Sequence, residues 1–377
     1  MAEIDSLLSK VLDYRQGQPF YRFANADGKM WMIPIRDIRI GMNLYQPGGR
    51  NGKLLKNGLP ILHRIPQVRK FLHIESVRCE LKEDLKKLLC RLFHIDDFQF
   101  SLFCGAPSAT QKIIIQLSRG NEIVGYCKLT DNTDVKKLFN QETETLLFLH
   151  EKGITNIPFP LYCDEYEPGI RAFVQTTEKT SASVIVHHWT EGHRQFLDRL
   201  YETTKTITAF EQTDYYRYIE YLSSHLHFVP ATDMEHIRKS IDFVKGVYSS
   251  RQDFSAFHGD FTPWNMFMEQ KKLFVFDWEC AERTFPPRMD AIHYILQTAL
   301  LEKHLDRDAS YRYLQEQIHT HFEDSVGMYR LTIAYLLYII AYYFMLYGKE
   351  YDITEPNYMT RIGILKKLTA QFKLENA

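Results

Sequence analysis

The run Phe257-His258-Gly259-Asp260-Phe261-Thr262-Pro263-Trp264-Asn265, with Asp277 twelve residues after Asn265, constrains this chain more than any other feature. Asp260 and Asn265 stand five apart on a stretch interrupted by Pro263, with apolar FSAF before it and KLFVF after it. That pattern predicts a tight loop between two strands. Asp277 closes the second apolar run, in which Leu273 and Val275 are expected to be buried. A carboxylate at the end of such a strand needs a counter-charge or a metal ion. Phosphoryl transfer asks little covalent chemistry of a protein. It needs hard oxygen ligands for Mg2+, a residue that orients the attacking hydroxyl, and a cation on the phosphates. Asp260, Asn265 and Asp277 are side chains of the right kind for the first two needs. A capping Asp, a turn Asn and a salt-bridged Asp are the plain structural alternative for the same positions.

The rest of the chain sets bounds. Its 377 residues allow two or three domains, and 45% hydrophobic with 25% charged residues is an ordinary globular mixture. A formal net charge of −1 gives no reason to expect nucleic acid as a partner. The six cysteines are scattered without a CxxC pair, which argues against a zinc site and a disulfide framework and for reduced thiols in the cytoplasm. The first residues, MAEIDSLLSKVLDYRQGQ, carry no signal-peptide pattern. Leu331 to Gly348 has no charged residue and is just long enough to span a bilayer, about 17–25 residues being needed. Its five tyrosines are spread along it rather than gathered at its ends, so a buried core helix is expected.

Residues 1–95 read as a basic N-terminal extension. From Arg36 to Arg78 there are nine Lys/Arg against Asp37 and Glu75, a formal +7, punctuated by Pro47-Gly48-Gly49 and Asn57-Gly58. Glu80 to Phe93 has helical spacing. Residues 96–178 read as a small β-rich domain: strands over 98–129 with a hairpin at Gly120-Asn121, a helix over Asp134–Lys152 stopped by Gly153, and a strand pair at 159–177. Residues 179–377 read as mostly helical.

The H-G-D-x-x-x-x-N run with a later strand-borne Asp resembles the aminoglycoside phosphotransferase/choline kinase family of the protein-kinase-like fold. The resemblance covers residues 98–300 by motif. It implies an α+β bilobal fold with a small β-rich N-lobe and a larger helical C-lobe, here with an added N-terminal extension. It implies ATP as cosubstrate and Mg2+ as cofactor. By position, Asp260 takes the role of catalytic base, and Asn265 and Asp277 those of magnesium ligands. Lys128 falls where the family binds the α- and β-phosphates. Glu142, fourteen residues on, falls where the family pairs that lysine; Glu144 is the rival, but lies ~200° around the helix. Gly105 and Ser108, in Gly105-Ala106-Pro107-Ser108-Ala109-Thr110, stand where a phosphate loop belongs, although the segment matches no Walker motif. Adenine is expected against Phe173 to Thr177, with Gln175 and Thr177 as contacts. His258 is expected to orient the loop by hydrogen bonding, and Asp290 to brace it.

The acceptor is less defined. Glu279 and Glu282 lie near Arg283 and Arg288, a mixture that does not favour a polycation. Trp189, Tyr215, Tyr216, Tyr218 and Tyr221 suit either sugar stacking or a core, and the helical spacing favours core. The +7 stretch suits an anionic substrate or an anionic membrane surface touched by residues 36–78. The favoured expectation is a kinase, using ATP or GTP, for a sugar hydroxyl in surface-polysaccharide or nucleotide-sugar metabolism. An aminoglycoside or choline-type kinase is the nearest alternative. A nucleotide-binding pseudokinase scaffold is the alternative of another class.

Overall fold

The computed structural model describes residues 2–47, 50–108, 110–180 and 182–372. The chain divides into two compact units. One comprises Met1–Glu151, Thr155–Val184 and Phe267–Glu279; the other comprises Lys152–Ile154, Ile185–Met266 and Cys280–Ala377.

The first unit is built on one antiparallel sheet. In chain order it holds α1 (Ala2–Val11), β1 (Leu12–Ala24), β2 (Met30–Pro34), α2 (Ile38–Gly41), α3 (Arg50–Leu62), α4 (Pro66–Phe71), β3 (Glu75–Leu81) and α5 (Glu83–Phe93). Then come β4 (Gln99–Cys104), β5 (Ile113–Arg119), β6 (Glu122–Thr130), α6 (Thr133–Glu151), β7 (Pro160–Glu167) and β8 (Ile170–Thr176). The eight strands run in the order β3-β1-β2-β4-β5-β6-β8-β7. The predicted hairpin is present, with Arg119 opposite Glu122 and Gly120 at φ +59 in the turn. Strand periodicity of two feeds a core on each face. Met30 and Met32 of β2 join a cluster with Leu7, Leu8 and Val11 of α1 and Leu85 and Leu89 of α5. Trp31 and Ile33 join a second cluster with Tyr21, Phe23, Tyr45 and Leu59.

The first 95 residues therefore supply three of the eight strands, and the sheet runs on across the boundary expected at residue 96. Met32 of β2 pairs with Leu102 of β4. The physical reason is that the charge of residues 36–78 hides an apolar strand just before it: every residue of Met-Trp-Met-Ile-Pro is buried. A turn signal was there to be found, since Asp27-Gly28 precedes this strand and Gly28 has φ +77. The expected helix from Glu80 starts later, at Glu83, because Glu80 and Leu81 end β3. Gly48 and Gly49 of the punctuated stretch lie outside the described residues.

The second unit is mainly helical. It begins with α7 (Glu191–Thr204), β9 (Thr206–Thr208), α8 (Asp214–Ser224), α9 (Ala231–Val247) and β10 (Gln252–Phe257). The chain next forms the hairpin β11 (Met266–Glu269) and β12 (Lys272–Val275), which from Phe267 groups with the sheet unit. It returns to the helical unit with β13 (Glu282–Phe285), α10 (Met289–Gln297), α11 (Arg307–His321), α12 (Ser325–Tyr347) and α13 (Pro356–Gln371). α12 contains the uncharged stretch and is long and apolar enough to cross a membrane. It packs against α8, α9, α10 and α13, and every residue from Thr332 to Ala341 is buried. Packing on several sides accounts for its apolarity.

Candidate functional site

In the sheet unit, Lys128 lies on β6 between Ile114 of β5 and Phe173 of β8. Its neighbours Cys127 and Leu129 point into one core, so alternation turns Lys128 to the opposite face. Glu142 sits in the buried stripe of α6 with Val135, Phe139, Leu146 and Leu149, whereas Glu144 is exposed. The ammonium of Lys128 meets both Glu142 oxygens, at 2.8 and 3.0 Å. It also meets Asp277 Oδ1 at 2.5 Å. Asp277 is held in the left-handed region at φ +70, which is sparsely populated by residues other than Gly. The next residue, Trp278, is fully buried and anchors the turn, its N–H donating to Glu142 Oε1 at 3.3 Å. Burial alone would depress Lys128, but Asp277, Glu142 and Glu279 outweigh it and the net shift is upward. Burial pushes Glu142 up to about 7 against the pull of Lys128. Carboxylate oxygens of Glu142, Asp277 and Glu279 all lie within 4.8 Å of one another, and Lys112 pairs with Glu279.

The segment expected to meet the nucleotide is partly assembled. Gly105 follows β4, and its carbonyl accepts from Gln111 Nε2 at 2.7 Å. Ser108 is exposed, its hydroxyl 3.3 Å from that of Thr110, and Ala109 lies outside the described residues. Gln175 is buried on β8 with Oε1 lacking a partner. Thr177 Oγ1 accepts from the N–H of Lys179 at 3.2 Å.

Lys179 itself was not foreseen. It is 7% exposed and forms no carboxylate pair among the described residues; its ammonium lies 6.0 Å from the Phe267 ring centroid. Burial, reinforced by the charge of Lys56, pulls it down to about 8 from an ordinary 10.5. A cation kept at a cost to the fold is a functional-site signal. Nothing local in the sequence separates Lys179 from a surface lysine. Lys179→Met is expected to stabilise the protein at pH 7 by about 3 kcal/mol, the worth of such a shift. Unfolded Lys179 titrates above the folded one, so the gain is complete below pH 8 and fades as the pH rises toward 10.5. Urea unfolding of both proteins at pH 7 and pH 9.5 checks this; equal stability at pH 7 would refute it.

In the helical unit, the loop after β10 turns at Gly259, φ +82, where a Cβ would come within 2.3 Å of the Cys280 carbonyl oxygen. Only glycine fits there. Asp290, at the start of α10, accepts the N–H groups of His258 at 2.8 Å and Gly259 at 3.2 Å. Burial raises its carboxyl to about 7 even so. His258 Nδ1 accepts the N–H of Asp260 at 3.1 Å. Both residues thus hold the loop in the expected way. Phe261 is fully buried against Phe196 and pins the insert. Asn265 Nδ2 donates to Asp260 Oδ2 at 2.7 Å and to its carbonyl at 3.0 Å. That orientation leaves Asn265 Oδ1, a hard oxygen, as its ligand atom. Asp260 Oδ1 lies 3.3 Å from His293 Nε2, and His293 Nδ1 lies 3.3 Å from the Tyr335 hydroxyl. Asp260 remains 38% exposed at its side chain, open to a ligand. His293 also escaped the sequence reading. Its one signal is its place one helical turn after Asp290.

No family model matches the sequence, and no curated protein sequence matches it. Solved structures do. A thermostable mutant of aminoglycoside phosphotransferase APH(4)-Ia, in ternary complex with ADP and hygromycin B, aligns with a TM-score of 0.51 at 12% identity over 76% of this chain and 98% of its own. Another, in ternary complex with AMP-PNP and hygromycin B, aligns with a TM-score of 0.51 at 12% identity over 77% and 99%. This chain has the aminoglycoside phosphotransferase fold. That protein-kinase-like fold is the one the H-G-D run implied, here carrying a sheet enlarged by β1–β3.

Other residues of this phosphotransferase fold prove structural. Glu282 accepts from Arg217 at 2.6 Å and from the Tyr218 hydroxyl at 2.8 Å, and Arg288 pairs with Asp198 at 2.8 Å. Trp189, Tyr215 and Tyr218 are buried core residues. Arg361 on α13 is buried too. Its guanidinium lies 4.6 Å from the Tyr343 centroid and 3.5 Å from the Tyr351 hydroxyl, and no carboxylate pairs with it among the described residues.

Proposed function

We propose that this chain is an ATP- or GTP-dependent kinase that transfers the γ-phosphoryl group to a hydroxyl of a small molecule. The observation that carries the reading is the state of Asp260: braced through its loop by Asp290, oriented by Asn265 and His293, and still exposed. In this role Asp260 takes the proton of the acceptor hydroxyl as its oxygen bonds to the γ-phosphorus. The bond from that phosphorus to the β-bridging oxygen breaks, and the nucleoside diphosphate leaves. Lys128, held by Glu142, steadies the α- and β-phosphates. Asn265 Oδ1 and the Asp277 carboxylate fit Mg2+, being hard oxygens, and Asp277 is the more open of the two acids on Lys128. When bound, the ion neutralises phosphate charge. Gly105, Ser108, Gln175 and Thr177 are assigned to the nucleotide by position, with Lys179 beside them.

For the acceptor we favour a sugar or sugar-containing metabolite of surface-polysaccharide or nucleotide-sugar metabolism. Arg361, a buried cation in the helical unit, argues against a polycationic aminoglycoside or a choline-type acceptor. Six cysteines without a disulfide support a reducing, cytoplasmic setting. The filled polar positions speak against a pseudokinase. Nucleoside diphosphate release with Mg2+ and ATP or GTP, measured over sugars, sugar phosphates, choline and aminoglycosides, tests the reading. Turnover confined to sugar derivatives is expected. No turnover with any acceptor would leave the scaffold alternative standing instead.

A further inference from the structure

The basic stretch of residues 36–78 folds around a cavity. Arg36, Arg64, Arg69, His63 and Tyr21 line it with two isoleucines, and its volume is about 520 Å³. That size suits a small ligand, since such sites run from about 300 to 1,000 Å³. Its charge is one-sided. Asp37 and Glu75, the acids of this stretch, are not among its lining residues, and none of the three arginines has a carboxylate partner among the described residues. Arg69 donates instead to the Tyr21 hydroxyl at 3.4 Å, with its guanidinium 5.8 Å from that ring's centroid.

The floor is built rather than incidental. Tyr21 is 2% exposed and His63 8%. The Tyr21 hydroxyl donates to the His63 carbonyl at 3.0 Å and lies 3.3 Å from His63 Nδ1. Tyr21 also belongs to the core of that sheet face, so the fold fixes its position. Burial, then the charges of Arg64 and Arg69, pull His63 below its ordinary value, so at neutral pH it adds a hydrogen-bonding ring without further positive charge. Three guanidiniums converging without acids repel one another, and a dianionic oxyanion is the ligand that reverses the sign of that interaction. Arginine forks match phosphate oxygens in bidentate geometry.

We infer that this cavity is a binding site for a phosphate monoester, separate from the candidate catalytic residues and formed only because β1–β3 and α2–α4 extend the sheet. Such a group comes either from a soluble phosphorylated metabolite or from an anionic lipid headgroup. The second source is open because Leu54, Ile61, Leu62, Ile65 and Phe71 of the same stretch are exposed, Phe71 at 83%. This deepens the expectation that residues 36–78 face an anionic substrate or membrane surface, and it does not rest on the kinase reading.

The test uses the full chain and two probes. Calorimetry with glycerol 3-phosphate is paired with co-sedimentation on phosphatidylcholine vesicles with and without one-fifth phosphatidic acid. Arg36→Ala and Arg64→Ala, both at exposed positions, are the variants, and thermal unfolding checks their folding. Glycerol 3-phosphate is expected to bind wild type and to weaken about tenfold or more in each variant, the scale of a lost charged hydrogen bond. Sedimentation with phosphatidic acid vesicles that glycerol 3-phosphate competes away would assign the site to a lipid headgroup; soluble binding without sedimentation would assign it to a metabolite. The inference fails if neither probe binds. It fails equally if vesicle binding survives both arginine variants and is lost only in Phe71→Ser, since that is adsorption without a pocket.

Discussion

Asp260→Asn is expected to lower kcat by about 10²–10⁴-fold, the usual contribution of a positioned general base. That is about 3–5 kcal/mol of barrier. The substitution is chosen to isolate the proton-accepting role. Asparagine has the shape of aspartate and still offers one oxygen to Asn265 Nδ2, which now meets Asp260 Oδ2 at 2.7 Å. The backbone carbonyl that also accepts from Asn265 is untouched. Asp290 continues to hold the two loop N–H groups, so the loop keeps its course. What disappears is a carboxylate able to take a proton. The loss belongs in kcat, with the nucleotide KM little changed, because the nucleotide-gripping residues of the sheet unit are untouched. Steady-state kinetics with the accepted substrate decides it. If the variant keeps more than a tenth of wild-type kcat, Asp260 is not the base and another role must be sought for the loop.

Lys128→Met is expected to cost about 3–5 kcal/mol of stability at pH 8, the range for breaking a buried ion pair by removing one partner. Glu142 is fully buried at its side chain and has Lys128 as its cationic partner at 2.8 Å. Without that ammonium it faces Asp277 and Glu279, like charges within 4.8 Å. The loss should shrink as the pH falls. Glu142 in the fold already titrates at about 7, against 4.5 in an ordinary chain, and losing Lys128 raises it further. The folded variant therefore binds a proton that the unfolded chain does not, and linkage stabilises it as the pH drops toward 5.5. Urea unfolding at pH 8 and pH 5.5 measures both quantities. A loss under about 1 kcal/mol at pH 8, or one that does not depend on pH, would show that the pair is not the buried, coupled unit described.

Much of the candidate site was legible because its signals are local. Glu142 falls in the apolar stripe of one helix, Lys128 alternates against Cys127 and Leu129 on one strand, and Asp260 and Asn265 share one loop. Periodicity and short spacing report such features directly. His293 and Lys179 were not legible. His293 meets Asp260 from 33 residues away, through a helix whose sequence looks like ordinary core. Lys179 differs from a surface lysine only in what surrounds it. The strands β1 and β2 were obscured for a different reason: counting charge over residues 36–78 drew attention from the buried Met-Trp-Met-Ile-Pro beside it.

By itself the sequence determined the order of strands and helices from residue 98 onward, the glycine turn of the H-G-D run and the residue types suited to phosphoryl transfer. Each depends on backbone periodicity, steric demands or side-chain chemistry, which a run of residues carries with it. Only the tertiary structure decided that the first 95 residues extend the sheet, that Lys128 takes Asp277 as well as Glu142, and that Arg36, Arg64 and Arg69 face one cavity. Those outcomes depend on strand pairing and on which charges share a desolvated space, and both are set by partners far away along the chain.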